Sequence, residues 1–322
     1  MAEKSPKSPI LQALKAATVD EQRAVEFLER HRWGSEPACP RCGDVDVYMM
    51  RDRDGGRNQD YRWRCRGCAK MFTVRTGTVM EESRLPLRVW IYTFWRACAS
   101  KKGISALQLA REQEITHKSA LFVLRRIRHG LGEPEPRRKF EGTVEADEFY
   151  HGGKFRMKGV SKRGRGTSKT PVLGIAERDG GARFKVMDRL TANDLQAAIE
   201  ANVEASSRLC TDELSSYARV GKKMKGGHET VNHGSGEYVR LATDVHSNTA
   251  ESLFSLFKRG VVGTYHSISP KHLPNYLDEF AFRWATRRVD DDERVCLAIR
   301  RVDGRRLKYR ESVDSPPWQA VL

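Results

Sequence analysis

Apolar residues recur at helical spacing in the first third of the chain and at strand spacing beyond it. From Asp20, the run EQRAVEFLERHRW places Val25, Leu28 and Trp33 between charges, which predicts an amphipathic helix with Asp20 as its N-cap. Residues before this run offer little to bury and read as a flexible tail. Residues 84–139 read as several helices. Within them, GISALQLAREQEITHKSALFVLRRIR divides at Glu114-Ile115-Thr116, with Leu107, Leu109 and Ala110 on one side and Ala120, Leu121, Val123, Leu124 and Ile127 on the other. Two short helices joined by a tight turn fit a helix-turn-helix. The stretch PEPRRK is Pro-rich and basic, as a linker is. Beyond Phe140 the period changes. GTVEADEFY, TPVLGIAER and ARFKVMDRL read as three successive strands, TANDLQAAIEANV as a helix, SSRLCTDE as a strand, and AESLFSLFKRG and NYLDEFAFRWATRR as helices. Strands followed by alternating helix and strand predict an α/β domain.

Charge narrows the range of partners. The 322 residues include 58 Lys or Arg against 42 Asp or Glu, a net charge of +16. An excess of this size favours a polyanion, with DNA or RNA ahead of an anionic membrane surface. With 39% hydrophobic residues, wholesale disorder is excluded. No stretch approaches the ~18 consecutive apolar residues of a membrane span. The opening MAEKSPKSPI lacks the apolar run of a signal peptide. The expected location is therefore the cytoplasm, at the nucleoid.

Seven cysteines are present, and four of them form Cys39-Pro-Arg-Cys42 and Cys65-Arg-Gly-Cys68. In a reducing compartment, paired CxxC units point to metal before disulfide. Four thiolates close a tetrahedral Zn²⁺ site, and Asp54-Gly55-Gly56 between the pairs suits a hairpin tip. The pattern is that of a zinc ribbon, with a structural rather than a chemical ion.

The helical segment 84–139 holds 13 Lys or Arg and four Glu. In a helix-turn-helix the second helix reads the major groove with its N-terminal residues, here His117, Lys118 and Ser119. Arg125, Arg126 and Arg128 are then candidates for phosphate contacts.

Three acids stand out. Asp147 lies inside the predicted strand VEADEFY, where an unpaired carboxylate needs a reason. Asp212 ends a strand, and Glu251 begins a helix after HSNT. Two strand carboxylates and one on a helix suit two divalent ions, Mg²⁺ or Mn²⁺, that serve an in-line displacement at phosphorus. Lys258 follows Glu251 by seven residues, about 20° short of two helical turns, so the two share a face. His246 is either a metal neighbour or a loop residue that caps the helix. Glu148 and Glu213 directly follow an acid, and strand alternation sends them to the opposite face. The glycine-rich stretch after His151 carries seven Lys or Arg within residues 154–169, among them Lys154, Arg163 and Arg165. Beside such acids it reads as a clamp on the DNA backbone. Thr264, Tyr265 and His266 are further candidates for the DNA path.

Together, CPRCG with CRGC, RTGTVMEESRLPLRVW, VEADEFYHGGK, KTPVLGIAER, CTDELSSY, and HSNTAESLFSLFKRGVVGTYHSISPKHLPNYLDEFAFRWATR resemble the bacterial insertion-sequence transposases with an N-terminal zinc ribbon, the family numbered fifteen ninety-five. The resemblance spans about residues 20–310. It implies a ribonuclease-H-like catalytic domain whose acids bind Mg²⁺, with Asp147 and Asp212 as the first two and Glu251, or else Asn248, as the third. It also implies binding of the element's terminal inverted repeats and of target DNA, in a homodimer or larger synaptic assembly. The expected organisation is a flexible tail 1–19, a zinc ribbon with leading helix 20–80, a helix-turn-helix segment 81–133, a linker 134–140, a catalytic domain 141–290 and a C-terminal tail 291–322. A retired DNA-binding regulator and a nuclease that cuts without joining are the rival functions.

Overall fold

The computed structural model describes residues 8–134, 137–152, 169–231, 240 and 244–308. It forms two compact units. One runs to Leu131 and takes in the stretch from Val289, and the other is Gly132–Arg288.

The first unit opens with α1 (Pro9–Ala17) and α2 (Glu21–Trp33). Proline at the start of α1 and the Ser8 hydroxyl at its N-cap suit a helix end, where the first amides lack partners. The expected tail is therefore a helix from Pro9, with Leu14 and Ala17 buried. Asp20 caps α2 as the sequence predicts, accepting the Arg23 amide at 2.8 Å. Three short antiparallel strands follow: β1 (Val47–Met49), β2 (Trp63–Cys65) and β3 (Met71–Phe72). The tip expected at Asp54-Gly55-Gly56 is present. Gly55 takes φ 82°, a left-handed conformation that suits glycine, and Asp54 Oδ1 accepts the Gly56 amide. Helices α3 (Leu87–Ala99), α4 (Ala106–Glu112) and α5 (His117–Leu131) complete this part. The α4–α5 turn passes through Glu114 at φ 51°, and Leu109, Ala110, Ala120 and Leu124 pack beneath it.

The second unit is built on a five-stranded sheet. Its strands are β4 (Thr143–His151), β5 (Thr170–Glu177), β6 (Ala182–Val186), β7 (Arg208–Asp212) and β8 (His228–Val231), in the order β6-β5-β4-β7-β8. β4, β5 and β6 are antiparallel neighbours, whereas β7 and β8 run parallel to β4. Between β6 and β7 lies α6 (Ala192–Asn202), and the short α7 (Ala218–Gly221) precedes β8. α8 (Asn248–Gly260) and α9 (Leu273–Ala285) follow the sheet. Alternation along β4 separates two cores. Val144 and Ala146 join Leu195, Ile199 and Tyr217 on one face, and Phe149 joins Phe254, Phe257 and Phe280 on the other. This is a ribonuclease-H-like fold. The linker expected over 134–140 is already docked at its end: Phe140 is buried, and Arg138 grips Glu177 with two bonds of 3.0 and 2.7 Å.

The chain then returns to the first unit as α10 (Asp291–Arg301), inside the stretch expected to be a tail. Acids fill its first turn and Arg300 and Arg301 its last, matching the helix dipole. Val295, Cys296 and Ile299 are buried, so apolar burial rather than charge decides the fate of this segment. Among the described residues no helix is long and apolar enough to cross a membrane.

Candidate active site and metal centres

In the first unit, Cys39 and Cys42 flank the turn before β1, while Cys65 ends β2 and Cys68 lies in the turn after it. The four sulfurs form one group. Sγ of Cys39 lies 3.8 Å from that of Cys68, and Sγ of Cys42 lies 3.6 Å from that of Cys65. A tetrahedron with ~2.3 Å Zn–S bonds has edges of about 3.8 Å, so the group fits zinc as it stands. The Lys70 amide, aided by the neighbouring thiols, lowers Cys68 to about 7. Trp33, Val47, Trp63 and Phe72 pack around the cysteines.

In the second unit, the acids meet where β4 and β7 part. Their pairing covers only Thr143–Glu145 against Arg208–Cys210, so a gap opens beside Asp147 and Glu148 at the carboxyl end of β7. Carboxyl ends of strands at such a switch of direction are where open α/β sheets bind ligands. Asp147, Glu148 and Asp212 bring carboxylate oxygens within 4.8 Å of one another there. Alternation does send Glu148 to the opposite face, where its Oε2 accepts the Tyr217 hydroxyl at 2.8 Å. Its carboxylate still reaches the gap, because no paired strand separates it from Asp212. Excluding Glu148 on alternation alone is thus corrected. Glu213 is exposed and stays outside the group.

Asp147 is pushed up to about 7, first by burial and then by the negative charges of Asp212 and Glu251, with Lys258 opposing. Oδ1 of Asp147 accepts the Glu148 amide at 2.7 Å. Glu251, in the first turn of α8, and Lys258, near its end, both face solvent on the Asp147 side of the sheet. Lys258 Nζ lies 5.7 Å from the Phe149 ring centre, two residues beyond Asp147. The shared face expected of Glu251 and Lys258 is present, yet Glu251 does not join the tight three-carboxylate group. Asn248 is exposed at the start of α8. Three carboxylates in one gap, with Asp147 largely desolvated, form a donor set that fits a hard divalent cation.

Glu145 escapes the sequence reading. It is fully buried, on the same face of β4 as Asp147. Arg178 Nε donates to it at 2.6 Å, and His246 Nδ1 lies 3.2 Å away. It also accepts the Thr249 amide at 2.7 Å, the Thr249 hydroxyl at 2.8 Å and the Ala250 amide at 3.1 Å. The desolvation argument that singles out Asp147 in VEADE applies equally to Glu145 and is the signal that reveals it. His246 accordingly sits beside Glu145 and outside the three-carboxylate group.

The basic candidates divide. Lys118 and His117 are exposed at the start of α5. They line a 530 Å³ groove together with Arg84, Leu85, Phe122 and Arg125. Arg126 also borders this groove, but its assignment to phosphate is corrected. Its side chain is 4% exposed and donates to the carbonyls of Val79 and Glu81 at 2.7 and 2.8 Å. Arg128, at 2% exposure, is equally turned inward. Lys154, Arg163 and Arg165 lie outside the described residues. Tyr265 donates its hydroxyl to Glu279 at 3.0 Å and packs edge-on against Tyr276, so it is turned toward α9.

Comparison with known proteins bears on both units. A family model described as the ISXO2-like transposase domain matches residues 139–285, and one described as a transposase zinc-ribbon domain matches residues 19–71. A protein of Halobacterium salinarum, described as an uncharacterized protein in transposable element ISH50, is 32% identical over 281 residues. That match covers 82% of this chain and 91% of the relative. Among solved structures, the Mos1 strand transfer complex is 14% identical, covering 62% of this chain and 71% of that one with a TM-score of 0.29. The Mos1 mariner paired end complex with Mn is 15% identical, covering 62% and 72%, with a TM-score of 0.29.

Proposed function

Since the chain belongs to the zinc-ribbon transposases with an ISXO2-like catalytic domain, we propose that it binds the terminal inverted repeats of its own element, cleaves them to a 3′ hydroxyl and transfers that strand to target DNA. The observation that carries this reading is the meeting of Asp147, Glu148 and Asp212 at the gap between β4 and β7, with Glu251 and Lys258 above Asp147.

Asp147, Asp212 and Glu251 would hold the catalytic ions, with Glu148 beside them and Asn248 as the alternative to Glu251. Bound there, Mg²⁺ or Mn²⁺ supplies Lewis acidity for attack and departure in an in-line displacement. The acids orient the cation site toward the scissile phosphate, and Lys258, exposed on the same side, holds a neighbouring phosphate by charge. In the first step a water oxygen bonds to phosphorus, its proton leaves, and the P–O3′ bond breaks to release a 3′ hydroxyl. In the second step that hydroxyl loses its proton as its oxygen bonds to a target phosphorus, and the target P–O3′ bond breaks, its oxygen taking up a proton to leave as a new 3′ hydroxyl. The zinc ribbon, with Cys39, Cys42, Cys65 and Cys68 on Zn²⁺, and the α4–α5 pair would recognise the ends, with Lys118 and Arg125 at the DNA. Two ends must be held at once, so the working form is a homodimer or larger synaptic assembly, acting at the nucleoid in the cytoplasm.

The test is a joining assay. Purified chain, Mg²⁺ and a fragment bearing the repeats that flank its gene are mixed with supercoiled plasmid. Joined products that disappear in Asp147→Ala and Asp212→Ala, with end binding retained, are the expected result. Cleavage that survives either substitution overturns the assignment. Cutting without joining points instead to a nuclease, and binding without cutting under Mg²⁺ and Mn²⁺ alike to a regulator.

A further inference from the structure

Helix α8 is held to the sheet by a carboxylate from outside it. The first amides of a helix lack intrahelical partners, and a side chain just before the helix usually satisfies them. Here the residue at that position, Ser247, makes no side-chain cap bond. Glu145, 104 residues before Thr249 in the chain, takes the Thr249 amide and hydroxyl and the Ala250 amide instead. A negative charge at a helix N-terminus is favoured by the helix dipole. Glu145 is also gripped by Arg178, whose other nitrogens reach the Asp244 carboxylate at 3.1 Å and the His246 carbonyl at 3.1 Å. Arg208 fastens Asp244 in turn, at 2.7 and 2.8 Å. The segment that leads into α8 is thus tied to β4, to the residue just after β5 and to β7 through one buried carboxylate and two arginines.

The placement of Glu145 on β4 gives this clamp a consequence. Glu145 and Asp147 are two residues apart on one strand face, so their positions are rigidly related. Thr249 and Ala250 immediately precede Glu251. From this juxtaposition we infer that Glu145 is a positioning residue for the catalytic site: by capping α8 on the strand that carries Asp147, it sets where Glu251 stands relative to Asp147. The inference rests on the catalytic reading of these acids. It assigns Glu145 no contact with DNA or cation.

The test is a double-mutant cycle on Mn²⁺ affinity, measured by calorimetry on the full zinc-loaded chain without DNA, so that it is independent of cleavage. Glu145→Gln should weaken Mn²⁺ binding as Glu251→Gln does, and the double variant should be no weaker than Glu251→Gln alone. A role in general stability would instead make the two losses multiply. Amide hydrogen exchange in the cation-free protein gives the second readout. Loss of a cap corresponds to roughly tenfold faster local opening, which should appear over residues 248–252 and leave β4 and β5 unchanged. Should Glu145→Gln fail to fold, Thr249→Val removes the hydroxyl bond alone, and the same cycle with Glu251→Gln should again show no added loss. Multiplying losses, or wild-type exchange at 248–252 in a folded variant, overturns the positioning role. A wild-type chain that binds no Mn²⁺ beyond its zinc removes the catalytic reading and this inference with it.

Discussion

Asp147→Asn should make the protein more stable while destroying its activity. The carboxyl of Asp147 ordinarily titrates near 3.8 and is pushed up to about 7, chiefly by burial. As pH rises from about 4 to 7, the unfolded chain releases this proton while the folded chain keeps it. The folded state binds more protons over that window, so stability falls with rising pH and stays low above it. At ~1.36 kcal/mol per unit, the penalty reaches about 4 kcal/mol by pH 8. Asparagine has nearly the same shape, can still accept the Glu148 amide and never ionises. It should recover about 2–4 kcal/mol, which at ~2–4 °C per kcal/mol is a rise of roughly 5–15 °C in Tm. The assay is scanning calorimetry at pH 8 in buffer free of divalent cations, with no chelator, so that the zinc stays. The gain should fall by more than half at pH 5. Saturating Mn²⁺ should narrow or reverse it, because only the wild type keeps the full ligand set. An asparagine variant that melts at or below wild type at pH 8 without cation would refute the reasoning.

Other perturbations separate the roles of particular residues. Gly174 lies opposite Asp147 in the β4–β5 ladder, and a Cβ there would come within 2.2 Å of the Phe254 ring of α8. Gly174→Ala should therefore cost about 1–3 kcal/mol by urea denaturation and lower cleavage more than end binding, since α8 must shift to make room. Stripping zinc with a chelator, or Cys42→Ser, should abolish the far-UV signal of residues 20–80, and added Zn²⁺ should restore it only in the wild type. An unchanged spectrum would deny the zinc a structural role. Arg126→Ala leaves two carbonyls without their donor and should destabilise by about 1–3 kcal/mol. Lys118→Ala should leave Tm unchanged and reduce the salt slope of DNA binding by about 1. The opposite pattern would reverse these two assignments.

Short-range signals were legible throughout. The Asp20 cap, the glycine tip at 54–56, the two CxxC turns and the seven-residue spacing of Glu251 and Lys258 each depend on neighbours a few residues apart. The amphipathic α10 was equally legible in principle, with acids in its first turn and arginines in its last, but its charge density masked the four residues it buries. The inward turn of Arg126 was not legible, since its acceptors on Val79 and Glu81 lie 47 and 45 residues away.

By itself, then, the sequence determined that four cysteines close a zinc ribbon, that an α/β domain follows a basic helical segment, and that acids sit on its strands and on one helix. Periodicity, capping and ligand spacing are local, and they survive in a one-dimensional text. Which carboxylates meet depends on the folded chain. Glu148 reaches the Asp147–Asp212 gap because β4 and β7 stop pairing at Glu145 and Cys210. Glu145 caps a helix that begins more than a hundred residues later. Both outcomes depend on where strands part and where a buried charge finds its partners, and long-range packing alone settles those.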